Sequence, residues 1–321
     1  MVTTGTVLKW AVLGALLVFS FVAAFYQFVM TAPIAFVPGT AVIVDPGQTI
    51  SGVAQKLYAQ NVVRSPVLFR SLVILYGGER KTSAGMYVFD SRENVFKVAH
   101  RIAMGDYGYV AVKLTLPEGL TSLEMAGLIH DKFPHIDEET AATTLRQYEG
   151  KLFPETYFFP PQAPLQMIQD RLLAEFEKNM EPLRTKIAAT GRSEEEIIIL
   201  ASILEEEVQN DTDRRLVADL FLRRLDMGML LQADSALGYI TGKGSLELTL
   251  KDLQMDSPYN LYKYKGFPPT AISNPGIAAI NAAIEPTPNK YIYFLSDKDG
   301  INHFAITYDE HLKNRRKYLG K

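Results

Sequence analysis

Ser193-Glu194-Glu195-Glu196-Ile197-Ile198-Ile199-Leu200-Ala201-Ser202-Ile203-Leu204-Glu205-Glu206-Glu207 says more about this chain than any other stretch. Ser193 with Glu196 three residues on is a capping box, so a helix starts there. Ile197 to Leu204 are apolar all round apart from Ser202, and a helix apolar on every face is buried on every face. It then runs straight into three carboxylates. Acidic side chains at a helix C-terminus oppose the macrodipole, at roughly 0.3–1 kcal/mol each. At least one should leave the core close to apolar surroundings, where desolvation and the dipole both push a carboxyl pKa up. A carboxylic acid kept protonated near neutral pH is what a general acid needs to be. Glu205 is the best placed, over Ala201 and Ser202 one turn back, on a stripe of small residues where a ligand can approach. The competing reading is a solvated helix end without chemistry, since structural charges also show shifted pKa values.

The chain has 321 residues, a formal net charge of −3 and 47% hydrophobic content, enough for a membrane anchor and two modest domains. No charge asymmetry points to nucleic acid. The absence of cysteine removes disulfides, thiol catalysis and thiolate zinc sites. The five histidines show no paired helical spacing, so no metal site and no cofactor is expected. Trp10 to Met30 carries no charge and is long enough for one membrane-spanning helix. Lys9 precedes it and the first charge after it is Asp45, which places residues 1–9 in the cytoplasm and the rest outside. A cleaved signal peptide is the rival, but the apolar run is long for one and no clear small-x-small site closes it.

Residues 31–41 read as an extended tether, which at ~3.3–3.6 Å per residue keeps the first domain within about 40 Å of the membrane. Cutting would then be confined to membrane-proximal material. Val42-Ile43-Val44-Asp45-Pro46-Gly47-Gln48-Thr49-Ile50 implies a strand, a Pro-Gly turn and a helix. The arrangement returns at Val112-Lys113-Leu114-Thr115-Leu116-Pro117-Glu118-Gly119-Leu120-Thr121, a weak internal repeat. It is the pattern of small LysM-like modules. Gly85–Phe89 reads as another strand and Val95–Met104 as another helix. A mixed α+β domain is therefore expected over residues 42–135, with a helix-rich second domain over 145–321. Near the start of the second domain, Gly150 to Pro161 is a proline- and aromatic-rich joint, followed by helices at Pro164–Met180, at the glutamate stretch, and from Asp211 or Thr212 to Gly228.

From Leu231 on, the chain becomes irregular and rich in amides and tyrosines. Leu231-Gln232-Ala233-Asp234-Ser235, Ser257-Pro258-Tyr259-Asn260-Leu261-Tyr262, Gly266-Phe267-Pro268-Pro269 and Ile272-Ser273-Asn274-Pro275-Gly276 suit a groove for a polyhydroxyl polymer. Sugar rings stack on aromatic faces, and hydroxyls need paired donors and acceptors. Each turn taken singly is as consistent with a purely structural role.

Taken in order with Ala201-Ser202-Ile203-Leu204-Glu205-x-Glu207 and Tyr291-Ile292-Tyr293-Phe294, these blocks resemble the endolytic murein transglycosylases, the YceG-like family. The resemblance covers most of the chain. It implies a bacterial inner-membrane, single-pass protein with its soluble domains outside, acting on nascent peptidoglycan glycan strands. It places the catalytic glutamate at Glu205. Glu207, Gln232, Asp234, Tyr259, Asn260, Tyr262 and Asn274 are the supporting or substrate-binding candidates. Peptidoglycan synthases or division proteins are candidate protein partners. Glu155, where the family usually carries aspartate, Ser235, where proline is frequent, and the loop Gly242–Leu253 depart from the pattern; none touches Glu205.

The implied reaction is non-hydrolytic. Protonated Glu205 would donate to the oxygen between N-acetylmuramic acid and N-acetylglucosamine. The muramic C6 hydroxyl would attack C1, leaving a 1,6-anhydro end, with Glu205 then acting as base. Ordinary glycoside hydrolysis uses two carboxylates at defined separation. A muramidase cutting the same bond with water, and a non-catalytic cell-wall-binding or division scaffold, are the alternatives.

Overall fold

A computed structural model of the chain describes residues 4–45, 47–77, 84–244 and 247–320; within these, the side chains of residues 4–9, 11, 28 and 29 are not described. Pro46 of the expected Pro-Gly turn, Ser245 and Leu246 of the divergent loop, and residues 1–3 with the Lys9 side chain of the expected cytoplasmic end lie outside what is described. The chain divides into two compact units, Met1–Ala111 and Val112–Lys321.

The first unit opens with helix α1 (Thr4–Phe25), continued by a wider helical turn at Tyr26–Met30. From Trp10 on, its described side chains, Leu13, Leu17 and Phe21 among them, are exposed. Among the described residues no helix is long and apolar enough to cross a membrane. Strand β1 (Thr40–Val44), helices α2 (Ile50–Ala59) and α3 (Pro66–Leu75), strand β2 (Gly85–Phe89) and helix α4 (Val95–Met104) follow. β1 and β2 pair antiparallel with Val42 opposite Tyr87. Alternation puts Val42, Val44, Tyr87 and Phe89 on one face, where they meet Val53, Leu57, Phe69, Val98 and Ile102 from the helices. α2, α3 and α4 each start on a side-chain cap, Thr49, Ser65 and Asn94 in turn.

The segment 31–41 is not the extended tether expected. Ala32 and Phe36 are buried in the first unit's core. Arg64 donates to the Thr31 carbonyl at 3.0 Å, and Arg92 to the Ala32 carbonyl at 2.7 Å. An apolar ring that finds a core, and carbonyls that find guanidinium donors, bind the segment to the fold more strongly than water holds it in solution.

The second unit comprises β3 (Val112–Thr115), α5 (Ser122–Lys132), α6 (Glu138–Leu145), β4 (Thr156–Phe159), α7 (Leu165–Met180), α8 (Arg184–Ala189), α9 (Glu194–Glu207), α10 (Asp211–Asp226), α11 (Asp234–Thr241), α12 (Ile277–Ile284), β5 (Tyr293–Ser296), β6 (Asn302–Ala305) and α13 (Tyr308–Asn314). Among the described residues, three separate two-stranded antiparallel sheets and many helices make an α+β, helix-rich chain. The second strand–turn–helix falls in this unit, not in the 42–135 domain expected from sequence. Its strand β3 pairs with β4, whose Thr156-Tyr157-Phe158-Phe159 reads in sequence as part of an irregular joint. Alternation explains the pairing: Tyr157 and Phe159 are buried, Phe158 is exposed, and Leu114 lies opposite Tyr157.

α9 is the axis of this unit. All eight residues from Ile197 to Leu204 are buried, packed by α8, α10, α11 and α12. The capping box at Ser193 and Glu196 is present. Ser202, the one polar residue of the buried run, donates to the Ile199 carbonyl at 2.8 Å and accepts from the Ile272 N–H at 3.1 Å. The Ser273 hydroxyl donates to the Ser202 carbonyl at 3.2 Å. The loop before α12 is thereby tied to the last buried turn of α9.

Candidate active site

The site forms where α9 emerges from the core. Leu204 is fully buried, and the Glu205 side chain is 8% exposed. Glu205 Oε1 accepts from Arg214 Nη2 at 3.0 Å, and Oε2 accepts from the Gly276 N–H at 2.9 Å. Arg214, on the first turn of α10, is itself buried. It also donates to the Val208 carbonyl at 3.1 Å and to Asp211 Oδ1 at 2.8 Å. Both oxygens of Glu205 therefore act as acceptors, one of them from a guanidinium.

The carboxyls pushed upward are its neighbours. Glu206 is exposed as a residue, but its Oε1 lies 2.9 Å from where a Cβ on Gly119 would stand. Loss of hydration, then the nearby charge of Glu124, push it up to about 7, with a hydrogen bond from Ser273 working against them. Glu207 is pushed up by burial, opposed by hydrogen bonds from Ser235, whose N–H lies 3.3 Å away. The helix-end argument for a raised carboxyl holds at Glu206 and Glu207.

A third raised carboxyl comes from another segment. The turn at Glu118-Gly119 is held against the loop before α12 by two backbone hydrogen bonds. Gly119 N–H donates to the Asn274 carbonyl at 3.0 Å, and Asn274 N–H donates to the Leu120 carbonyl at 2.9 Å. A Cβ on Gly276 would coincide with the Glu118 carboxyl, so that carboxyl lies directly over the residue whose N–H holds Glu205. Glu118 is pushed up first by desolvation and then by the charge of Glu205; Asp211 and Glu155 add to this and Arg214 opposes it.

The sequence-derived candidates fall into groups. Glu207, Asp234 and Tyr262 cluster: Tyr262 donates its hydroxyl to Asp234 Oδ1 at 2.6 Å, and Asp234 pushes Glu207 up. Burial and Asp234 also push the Tyr262 phenol up, which keeps it a donor. Asn260 is fully buried and serves its own turn, donating to the Leu253 and Met255 carbonyls and accepting from the Tyr262 N–H. Gln232 is exposed, with φ of +55°, and its N–H donates to the Leu261 carbonyl at 3.1 Å. Tyr259 meets the Tyr239 ring at 5.5 Å and shares a hydrogen bond with Thr270 at 2.7 Å. Asn274 is fully buried: its Oδ1 accepts from the N–H groups of Gly150 and Leu152, and its Nδ2 donates to the Leu120 carbonyl and to Glu149. Asn260 and Asn274 therefore support the site rather than face a ligand.

Four residues of the site went unread in the sequence: Glu118, Glu149, Arg214 and Gly276. Glu149 is buried and pushed up by that burial, while Ser122, Tyr239 and Asn274 donate to it. With Thr121, Ser122, Arg146 and Tyr239 it lines a cavity of about 270 Å³. The Pro-Glu-Gly turn was visible as a turn only, and nothing local marks Arg214 as the partner of a residue nine positions back.

A model of the YceG-like family matches residues 42–317. An endolytic murein transglycosylase of Bacillus subtilis (strain 168) is 29% identical over 303 residues, covering 86% of this chain and 84% of that protein. One of Streptococcus pneumoniae serotype 2 is 33% identical over 177 residues, covering 53% of this chain and 32% of that longer protein. The crystal structure of a yceG-like protein from Listeria monocytogenes superposes with a TM-score of 0.58 at 28% identity, covering 85% of this chain and 98% of that one.

Proposed function

The chain belongs to the YceG-like family, and from that membership and the geometry around Glu205 we propose that it is an endolytic murein transglycosylase. It cuts peptidoglycan glycan strands internally, between N-acetylmuramic acid and N-acetylglucosamine, and leaves 1,6-anhydromuramic ends. The observation that carries this reading is Glu205 itself, a carboxyl directly after the buried run Ile197–Leu204 of α9, fixed on both oxygens by Arg214 and the Gly276 N–H.

The chemistry needs one proton to travel. The C1–O bond breaks as a proton reaches the bridging oxygen, and the C6 hydroxyl closes on C1 as it gives its own proton up. No water is consumed. Glu205 is the carboxyl at which this exchange is centred, giving one proton and taking one back. The cavity beside Glu149 and Tyr239 offers hydroxyl, guanidinium and aromatic groups to a sugar. Glu207, Asp234 and Tyr262 form a hydrogen-bonded support behind the end of α9.

The N-terminal residues, read from their uncharged run, serve as a single-pass anchor in the bacterial inner membrane, with the chain from about residue 31 on outside. The first unit, with its β1–β2 pair and helices, is a LysM-like module. Because residues 31–41 are packed into that unit, the anchor has little slack. Inserting flexible residues after Met30 should alter the length distribution of glycan strands; an unchanged distribution would count against anchoring as a positional constraint.

The direct test replaces Glu205 with glutamine and digests purified peptidoglycan. Loss of cleavage by about 10²–10⁴-fold with folding and glycan binding retained is the expected outcome. Undiminished cleavage would leave a cell-wall-binding scaffold as the better reading.

A further inference from the structure

Thr307 and Glu310 form a capping box that fixes where α13 starts. Tyr308, His311 and Arg315 then fall at i, i+3 and i+7, on one face of α13 and of the turn that continues it. Asp309, Glu310 and Lys313 fall on the other side. The β5–β6 pairing sets Tyr293 opposite Ala305, two residues before Thr307, and so brings its ring to the same face. Between centroids, the Tyr293 ring lies 5.3 Å from His311 and 5.8 Å from Tyr308. Tyr308 and His311 are 6.3 Å apart. The three rings make one patch, and Tyr308, 55% exposed, is its open end.

The charge around this patch is of one sign. The Arg224 guanidinium lies 5.3 Å from the centre of the Tyr293 ring. Arg224 is buried, and it donates to the carbonyls of Ile292 at 2.8 Å and Leu231 at 2.6 Å. Among the described residues, neither Arg224 nor Arg315 is paired with a carboxylate. Carbonyls satisfy the hydrogen bonds of a guanidinium but do not cancel its charge, and a buried charge without a counter-charge is costly. The charged groups facing His311 are Arg315 and Arg224; burial first, and then these two cations, hold its pKa below the usual histidine value. At neutral pH His311 is therefore an uncharged ring. The face offers aromatic surface beside cations that lack an anion.

A strand of amino sugars that carries carboxylates matches both features. Its rings stack on aromatic faces, and its carboxylates pair with a guanidinium. Resting on the reading of peptidoglycan as the substrate, we propose that Tyr293, Tyr308, His311 and Arg315 form a second strand-binding surface, with an amino-sugar ring on Tyr308 and its attached carboxylate on Arg315. The surface is built from β5 and α13, whereas Glu205 is held by α9, α10 and the loop before α12. It grips the strand and takes no part in the proton transfer, so it acts on substrate affinity. The carboxylate comes from a stem peptide or, where the peptide has been removed, from the lactyl group of the muramic acid.

The experiment measures binding to the full chain carrying Glu205→Gln. Three ligands are compared: peptide-bearing glycan strands, strands stripped of their peptides, and chitin oligosaccharides, which have the amino sugars without a carboxylate. Tyr308→Ala should weaken all three by about three- to tenfold. Arg315→Ala should weaken only the carboxylate-bearing strands, by about two- to fivefold, and the difference should shrink as salt is added. Arg315→Lys should keep most of the affinity, and Arg315→Glu should lose more than Arg315→Ala. With Glu205 intact, the same substitutions should raise KM for cleavage by matching factors rather than lower kcat. A loss on peptide-bearing strands alone identifies the stem carboxylate, one on stripped strands alone the lactyl carboxylate, and one on both shows that either serves. Wild-type affinity in Tyr308→Ala and Arg315→Ala, or an Arg315→Ala loss as large on chitin as on the strands, overturns the surface. If Glu205→Gln abolishes cleavage while Tyr308→Ala and Arg315→Ala bind and cut as wild type does, only this surface fails. If the wild type neither binds nor cuts the strands, the peptidoglycan reading fails with it.

Discussion

The two strand–turn–helix copies begin alike and end in different employment. The first runs Asp45-Pro46-Gly47-Gln48-Thr49 and the second Pro117-Glu118-Gly119-Leu120-Thr121. Both keep a glycine in the left-handed region, with φ of +75° at Gly47 and +83° at Gly119, and both cap their helix with a threonine. They differ in what surrounds the glycine. Around Gly47 there is open space, whereas at Gly119 the carboxyl of Glu206 and the stem of Glu205 close in. They also differ in the residue before it, proline in one copy and glutamate in the other. One local motif has thus been kept as a plain fold element and also turned into a wall of the site.

That contrast breaks most visibly at Asn274, which fastens the second turn and, among the described residues, has no counterpart at the first. Asn274→Ala should destabilise the second unit by about 3–5 kcal/mol, because it strands the buried N–H groups of Gly150 and Leu152. Calorimetry would show the loss in the second unit's transition; a change below about 1 kcal/mol would mean that the turn is held elsewhere. Alanine at the two glycines sharpens the comparison. Gly47→Ala should cost about 1–2 kcal/mol of strain and leave cleavage intact. Gly119→Ala should cost about 2–3 kcal/mol and impair cleavage, since its Cβ meets Glu206. Alanine at the caps Thr49 and Thr121 should cost about 1 kcal/mol each, measured by denaturant unfolding.

The smallest effect is a pH dependence. Glu206 is raised in the folded chain from the usual 4.5 to about 7. Between those values the folded state holds a proton that the unfolded state has released, so Glu206 makes stability fall as pH rises through that window. Glu206→Gln should flatten this slope and stabilise the protein at pH 8, by at most about 1 kcal/mol after solvent screening. A steeper slope in the variant would show that Glu206 is not the group titrating.

Much of the frame was legible in the sequence. α4 at Val95–Met104, β2 at Gly85–Phe89 and the capping box of α9 follow from periodicity and cap chemistry alone, because those elements are specified locally. The strand β4 is hidden by the prolines around it and by aromatic residues that suit a joint as well as a strand. α12, Ile277 to Ile284, has no charge and no capping side chain to mark its start. At the site, Glu205 stands out because burial stops abruptly beside it. Glu118, Arg214 and Gly276 do not, since their roles come from contacts across the sequence: 158 residues separate Glu118 from Gly276, 71 separate Glu205 from Gly276, and nine separate Glu205 from Arg214. The tether at 31–41 misleads for the same reason, as Arg64 and Arg92 come from 33 and 60 residues away.

The central claim is that the bond is cut by an internal hydroxyl and a carboxyl-borne proton, with no water. Digestion of purified peptidoglycan in oxygen-18 water, followed by mass spectrometry of the new ends, tests it most directly. Unlabelled 1,6-anhydromuramic ends, absent with Glu205→Gln, are the expected result. Reducing ends that carry the heavy oxygen, and are one water heavier, would make the protein a hydrolase and contradict the account.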